Sequence, residues 1–257
     1  MLKKRIIPIL LWKDTGLVKG KRFNSWRRVG SVLPAIKIFN LRDVDELILL
    51  NIESHESKIK PDLNFIENCL KHCNVPVTVG GGIDTIDYAR KLLKIGADKL
   101  SINSAAYSNK DLVNILSKEF GKQCVVVSID YKKNNKGELK CYSHNGKNET
   151  KYSPIEWASK VEKDGAGEIL LTNIDNEGSM SGYDLDLAKI ITNKINIPLV
   201  CSGGAGNSSH VYELFSKTNT AAAAVSSMFQ FTEKTPNDVK SFLQSNGIKI
   251  RKNVKLQ

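Results

Sequence analysis

No run of apolar residues in the 257-residue chain is long enough to span a bilayer, which sets aside a protein that crosses membranes by helices. The five cysteines are an odd number without framework spacing, so the sequence suits a reducing compartment. The opening Met1-Leu2-Lys3-Lys4-Arg5, followed by apolar Ile6 to Leu11, has the order of a signal peptide but meets Lys13-Asp14 with no small-residue cleavage site. It reads as a first strand, and a cytoplasmic location is expected. Aromatics make up only 7%, and the net charge of +11 comes from lysines scattered through nearly every helical segment. Nucleic-acid binding needs clustered charge with interleaved aromatics and is not expected, whereas an acidic protein partner stays compatible. Ligand sets for a metal are equally thin. Cys69, His72 and Cys73 share one helix face, but no fourth ligand accompanies them, so neither metal nor cofactor is expected. Cys124 and Cys201 fall in apolar strand patterns and read as core.

What the chain does have is alternation. Strand-like runs at Arg5–Leu11, Glu46–Asn51, Pro76–Gly80, Lys99–Ile102, Cys124–Asp130, Glu168–Thr172, Pro198–Cys201 and Ala222–Ser226 are separated by helix-period segments such as Thr85–Ile95 and Asp111–Phe120. Ser153-Pro154 opens another helix in the cap-then-proline order. The runs lack the in-out alternation of half-exposed sheets, as parallel strands covered on both faces do. Eight such units predict one closed (β/α)8 barrel domain over residues 1–257, since open sheets usually stop at five or six strands.

The barrel is also doubled, with half-barrel repeats of approximately 1–120 and 121–257. A single offset of 122 relates Glu46 through Asn51 to Glu168 through Asn173, and Gly81 to Gly203. A nearby offset of 119 relates Leu11 to Asp130. Ligands of this fold sit at the C-terminal ends of the strands, where Gly80-Gly81-Gly82 and Gly203-Gly204 fall. Glycine lets backbone amides approach an anion, and a following helix N-terminus adds partial positive charge. The neighbouring strands end in Asn103-Ser104 and Ser226-Ser227. One Gly-Gly alone is a tight turn; two at one offset predict two phosphate cradles and a small molecule with a phosphate at each end.

Several motifs carry a family resemblance over essentially the whole chain: Arg5-Ile-Ile-Pro, Val18-Lys19-Gly20, Thr78-Val-Gly-Gly-Gly-Ile83, Gly96-Ala-Asp-Lys-Leu-Ser-Ile-Asn103, Gly165-Ala-Gly-Glu-Ile-Leu-Leu-Thr172, Ser181-Gly-Tyr-Asp184 and Ser202-Gly-Gly-Ala-Gly206. Together they resemble the HisF-type cyclase subunit of imidazole glycerol phosphate synthase. That family closes an imidazole ring with ammonia delivered by a separate glutaminase. The resemblance implies an ammonia entrance ring of Arg5, Glu46, Lys99 and Glu168 at the N-terminal face, and a contact of Asp98 with the glutaminase partner. It places Lys19 and Gly178 with the phosphate-binding residues, and makes Asp130 one of two catalytic strand-end aspartates.

The other aspartate is missing. Its position is Leu11, which can neither transfer a proton nor accept a charge-assisted hydrogen bond. Asn51 and Glu177 stand where the family has aspartates, and the first loop reads Asn24-Ser-Trp-Arg-Arg28, whose Arg27 and Arg28 could fork onto a diphosphate or simply be solvated. His55, near the mouth, could relay protons or be a solvated loop residue, and the polar stretch Lys132–Lys151 reads as a hairpin over the mouth. Three readings of function are open. One is a divergent ammonia-accepting barrel of the surface-polysaccharide group, in which a sugar amidotransferase converts an acetamido to an acetamidino sugar. A second is an authentic cyclase that tolerates Leu11. The third is a scaffold that only activates a glutaminase.

Overall fold

The computed structural model describes residues 3–53 and 60–251. Its strands are β1 (Arg5–Lys13), β2 (Gly16–Lys21), β3 (Asn24–Ser31), β4 (Leu47–Asn51), β5 (Val77–Gly80), β6 (Lys99–Ile102), β7 (Val125–Lys133), β8 (Leu139–Ser143), β9 (Asn148–Glu149), β10 (Glu168–Asn173), β11 (Leu199–Ser202) and β12 (Ala222–Val225). Parallel pairing runs β1–β4–β5–β6–β7–β10–β11–β12 and returns from β12 to β1, closing a (β/α)8 barrel.

Period-two geometry divides each strand between two cores. On β1, Ile6, Leu10 and Trp12 point outward to the helices, while Ile7, Ile9 and Leu11 join Ile48, Val126, Leu170 and Val200 inside the barrel. The inward row of β1 is therefore Arg5, Ile7, Ile9, Leu11, with Arg5 at the N-terminal face and Leu11 roughly 20 Å along the strand at the other end. Side chains two apart on β4, β6 and β10 and their flanks make the same climb from charge to mouth: Glu46–Ile48–Leu50, Lys99–Ser101–Asn103, and Glu168–Leu170–Thr172.

The helices begin where the sequence signals them. Ser153 caps Pro154–Lys163 in a reciprocal capping box with Glu156, and Thr85 caps Ile86–Lys94. The last helix, Pro236–Ser245, is tied to the N-terminal face by Lys240, whose Nζ lies 2.8 Å from Asp45 Oδ1 in a buried ion pair.

The two halves share more than strands. Gly81 and Gly203 both have positive φ, and a Cβ on either would come within 2.5 Å of a backbone oxygen, that of Asn51 in one half and of Asn173 in the other. The sequence offset of 122 is thus a spatial repeat, and glycine is required at both positions.

Two expectations need correction. The first loop is not irregular: β2 and β3 form an antiparallel hairpin paired to the end of β1, matching the β8–β9 hairpin that follows β7. Much of β3 meets solvent on both faces, so no apolar alternation announces the strand. Cys124 lies half-buried in a 3-10 turn before β7, while Cys201 is buried as expected.

Candidate functional site

The C-terminal ends of the strands surround a cavity of about 530 Å³. Leu11, Asn51, Gly81, Gly82, Asn103, Ser104, Asp130, Thr172 and Ser226 line it from the strand ends; Lys19, Phe23 and Trp26 reach it from the first hairpin, and His144 and Asn145 from the second. The hairpin expected over the mouth at 132–151 therefore does reach the cavity.

Asp130 receives hydrogen bonds from Asn103 Nδ2 at 2.7 Å and Ser128 Oγ at 3.3 Å. Burial pushes its carboxyl up to about 7; hydrogen bonds from Ser128 and Thr172 pull the other way, and the nearby charge of Glu177 adds to the rise. A carboxyl poised there can take up or release a proton near neutrality. Leu11 lines the same cavity from the strand opposite, 7% exposed, in register with Leu50. Among the described residues, the cavity's other carboxylates are Asp84, paired with Lys60, and Glu177, paired with Lys19.

Of the residues expected to hold phosphate, Gly81, Gly82, Asn103 and Ser104 lie together on the main cavity. Gly178, Gly203, Gly204, Ser226 and Ser227 line a separate cleft beside it, which Glu177 also enters. Lys19 is 2% exposed and its ammonium contacts the Glu177 carboxylate, so the cation expected to serve an anion already has one. Arg27 and Arg28 line neither space: the Arg27 guanidinium stacks 4.8 Å above the Phe231 ring, and Arg28 Nε bonds the Gly30 carbonyl. His55 lies outside the described residues. Lys60 and Asp84 escape sequence reasoning. Asp84 follows Gly82 closely enough to be suspected, but nothing in the sequence marks Lys60.

At the opposite face, the inward rows end in a ring. Arg5 bonds Glu46 at 2.7 Å and Glu168 at 2.5 Å, and Lys99 bonds the same two carboxylates at 2.9 and 2.8 Å. Each cation bridges both anions. Burial alone would raise the Glu46 carboxyl, but Arg5 and Lys99 outweigh it and hold it below its ordinary value. Burial likewise opposes the charge on Arg5, and its two carboxylates keep that guanidinium raised. Asp98, also at this face, accepts a hydrogen bond from the Val77 amide at 2.8 Å and so steadies the start of β5.

The chain is similar to known proteins along nearly its whole length. A family described as histidine biosynthesis protein matches residues 5–235. The imidazole glycerol phosphate synthase subunit HisF of Prosthecochloris aestuarii is 41% identical over 251 residues, spanning 98% of this chain and all of that protein. The same identity and coverage hold for HisF of Chlorobaculum parvum. A Campylobacter jejuni protein provisionally described as imidazole glycerol phosphate synthase subunit hisF2 is 43% identical over 98% of this chain and 99% of its own length. No helix among the described residues is long and apolar enough to cross a membrane.

Proposed function

The chain belongs to the histidine biosynthesis protein family, and on that basis we propose that it is a HisF-type, ammonia-accepting subunit whose ring-closing chemistry has been lost. It would dock a glutaminase at the N-terminal face, with Asp98 at the contact, receive ammonia at the Arg5–Glu46–Lys99–Glu168 ring, and present it to a phosphorylated ligand at the mouth. The ligand class that fits is a sugar amidated from acetamido to acetamidino form, with a sugar amidotransferase as further partner in surface-polysaccharide synthesis.

One observation carries this reading: the inward row of β1 begins in a complete ring and ends in Leu11 on the cavity wall. Ring closure in the family uses two strand-end carboxylates, and here Asp130 faces a mouth whose other two acids, among the described residues, are bound to lysines. The apolar stretch between, Ile7, Ile48, Val126, Leu170 and Val200, suits neutral ammonia and disfavours ammonium.

A second reading, an authentic cyclase, is favoured by the full-length identity to HisF subunits and by the neutral-range Asp130. One assay separates them. The purified chain is given ammonium and the phosphoribosyl aminoimidazole substrate, and substrate loss is followed. We expect turnover at least ~10²-fold below that of a cyclase with both carboxylates. Matching rates would overturn the proposed function. Leu11→Asp then asks whether the single carboxylate restores the reaction.

A further inference from the structure

The two half-sites of the mouth are related by the chain's internal repeat, yet their chemistry differs. Gly81 and Gly82 open onto the 530 Å³ cavity, where the Lys60 ammonium stands beside the Gly82 carbonyl and Asp84. Gly203 and Gly204 open onto a cleft of about 10 Å³, room for one water at most. Glu177 lines that cleft, 7% exposed, and its cation among the described residues is the buried Lys19. In the same cleft, the buried Ser227 hydroxyl has no hydrogen-bond partner among the described residues.

We infer that Glu177 makes the mouth accept a ligand phosphorylated at one end only, with the phosphate at Gly81–Gly82 and a hydroxyl- or amino-bearing end at Gly203–Gly204. A second phosphate would meet a carboxylate whose neutralising lysine is already engaged, and like charges brought together without water repel strongly. Moving Lys19 onto the phosphate would not help, because it would leave Glu177 buried and unpaired beside the new anion. A hydroxyl or amino group reverses every sign. It donates to Glu177, accepts or donates at the orphaned Ser227 hydroxyl, and needs no more space than a water plus the movement of one side chain. Such a ligand is a glycosyl phosphate or a nucleotide sugar, with its diphosphate at one cradle and its sugar hydroxyls or amine at the other. Glu177 is thus a specificity-determining residue.

The inference rests on the mouth being a ligand site, as the proposed function holds, but it needs neither a glutaminase nor ammonia. Its test is a titration of the isolated chain with inorganic phosphate, followed by the backbone amide resonances of both cradles. In the wild type, saturable resonance changes are expected at Gly82 and Ser104 and none at Gly204 or Ser227. In Glu177→Gln, changes at Gly204 and Ser227 should emerge, with affinity there raised at least ~10-fold, as expected when a like charge is removed. Glu177→Asp, which withdraws the carboxylate by one methylene, should open the same cradle and replaces the glutamine variant if that does not fold. Wild-type phosphate binding in both cradles with similar affinity would overturn the inference, and so would binding in neither, or no gain in either variant. Any of those results leaves the ammonia-accepting role standing, because that role does not depend on how many phosphates the ligand carries.

Discussion

The two ends of one inward row on β1 have been treated differently. At Arg5 the barrel keeps two cations and two anions, each pair within 2.5–2.9 Å, so that no charge in the ring is left without a partner. At Leu11 the mouth has an alkyl group, and the acids that do reach the cavity are either held by lysines or, in Asp130, raised toward neutrality. The ring and the mouth are therefore separable parts. A chain that had merely decayed would have no reason to keep four mutually dependent charges at one end of the row while carrying an alkyl group at the other.

The contrast is most exposed to refutation at the ring. Arg5→Ala leaves the buried Glu168 and the half-buried Glu46 sharing Lys99 alone, and removal of one partner from a buried ion pair costs about 3–5 kcal/mol. Urea unfolding should show a loss in that range. A loss under about 1 kcal/mol, typical of exposed pairs, would mean the ring is loose and that its retention says nothing about function.

The next effect concerns pH, where the two ends have opposite signs. The folded Glu46 carboxyl is lowered, so the stability it contributes is present above its unfolded value and lost as pH falls through the folded one. Asp130 is raised to about 7, so the folded state holds a proton that the unfolded chain releases near pH 4. Its contribution is greatest below that value and is lost as pH rises to about 7, then stays level. Asp130→Asn removes this slope. Above pH 7 the variant should be more stable than the wild type by about 2–4 kcal/mol, since each tenfold change in proton affinity is worth ~1.4 kcal/mol and water in the cavity relieves part of the total. The advantage should vanish near pH 4. Unfolding curves for both proteins at pH 4, 6 and 8 make the measurement, and parallel behaviour would show that Asp130 is not held in a raised state.

The barrel and its doubling are legible in the sequence because they depend on local pattern. Apolar runs, helix starts such as Thr85 and Ser153, and a repeat offset are all visible in one dimension. Arg5, Glu46, Lys99 and Glu168 are legible as a set only through resemblance, since no spacing rule says that strand-start charges meet. The Lys19–Glu177 and Lys240–Asp45 pairs are not legible at all, because residues 158 and 195 positions apart meet only after closure. The β2–β3 hairpin escapes for another reason. A strand wet on both faces carries no hydrophobic period, so Asn24–Ser31 reads as a loop.

That hairpin offers the finest probe of whether the two ends are independent. Arg27 on β3 stacks over Phe231, at the end of the short helix that carries Ser227 into the second cleft, and so joins the first hairpin to the helix of the neighbouring last strand. Phe231 is 40% exposed, and an exposed cation–π contact is worth about 0.5–1 kcal/mol. Arg27→Ala should therefore barely move global unfolding. It should instead raise hydrogen exchange of the β2–β3 amides by about 2- to 5-fold, the factor that 0.5–1 kcal/mol of local opening corresponds to, while amides of β1 and β10 keep their protection. If β10 loosens to the same degree, the mouth and the barrel wall open as one unit. The two ends of the inward row would then no longer be separable parts, and a change at the mouth would be felt at the ring.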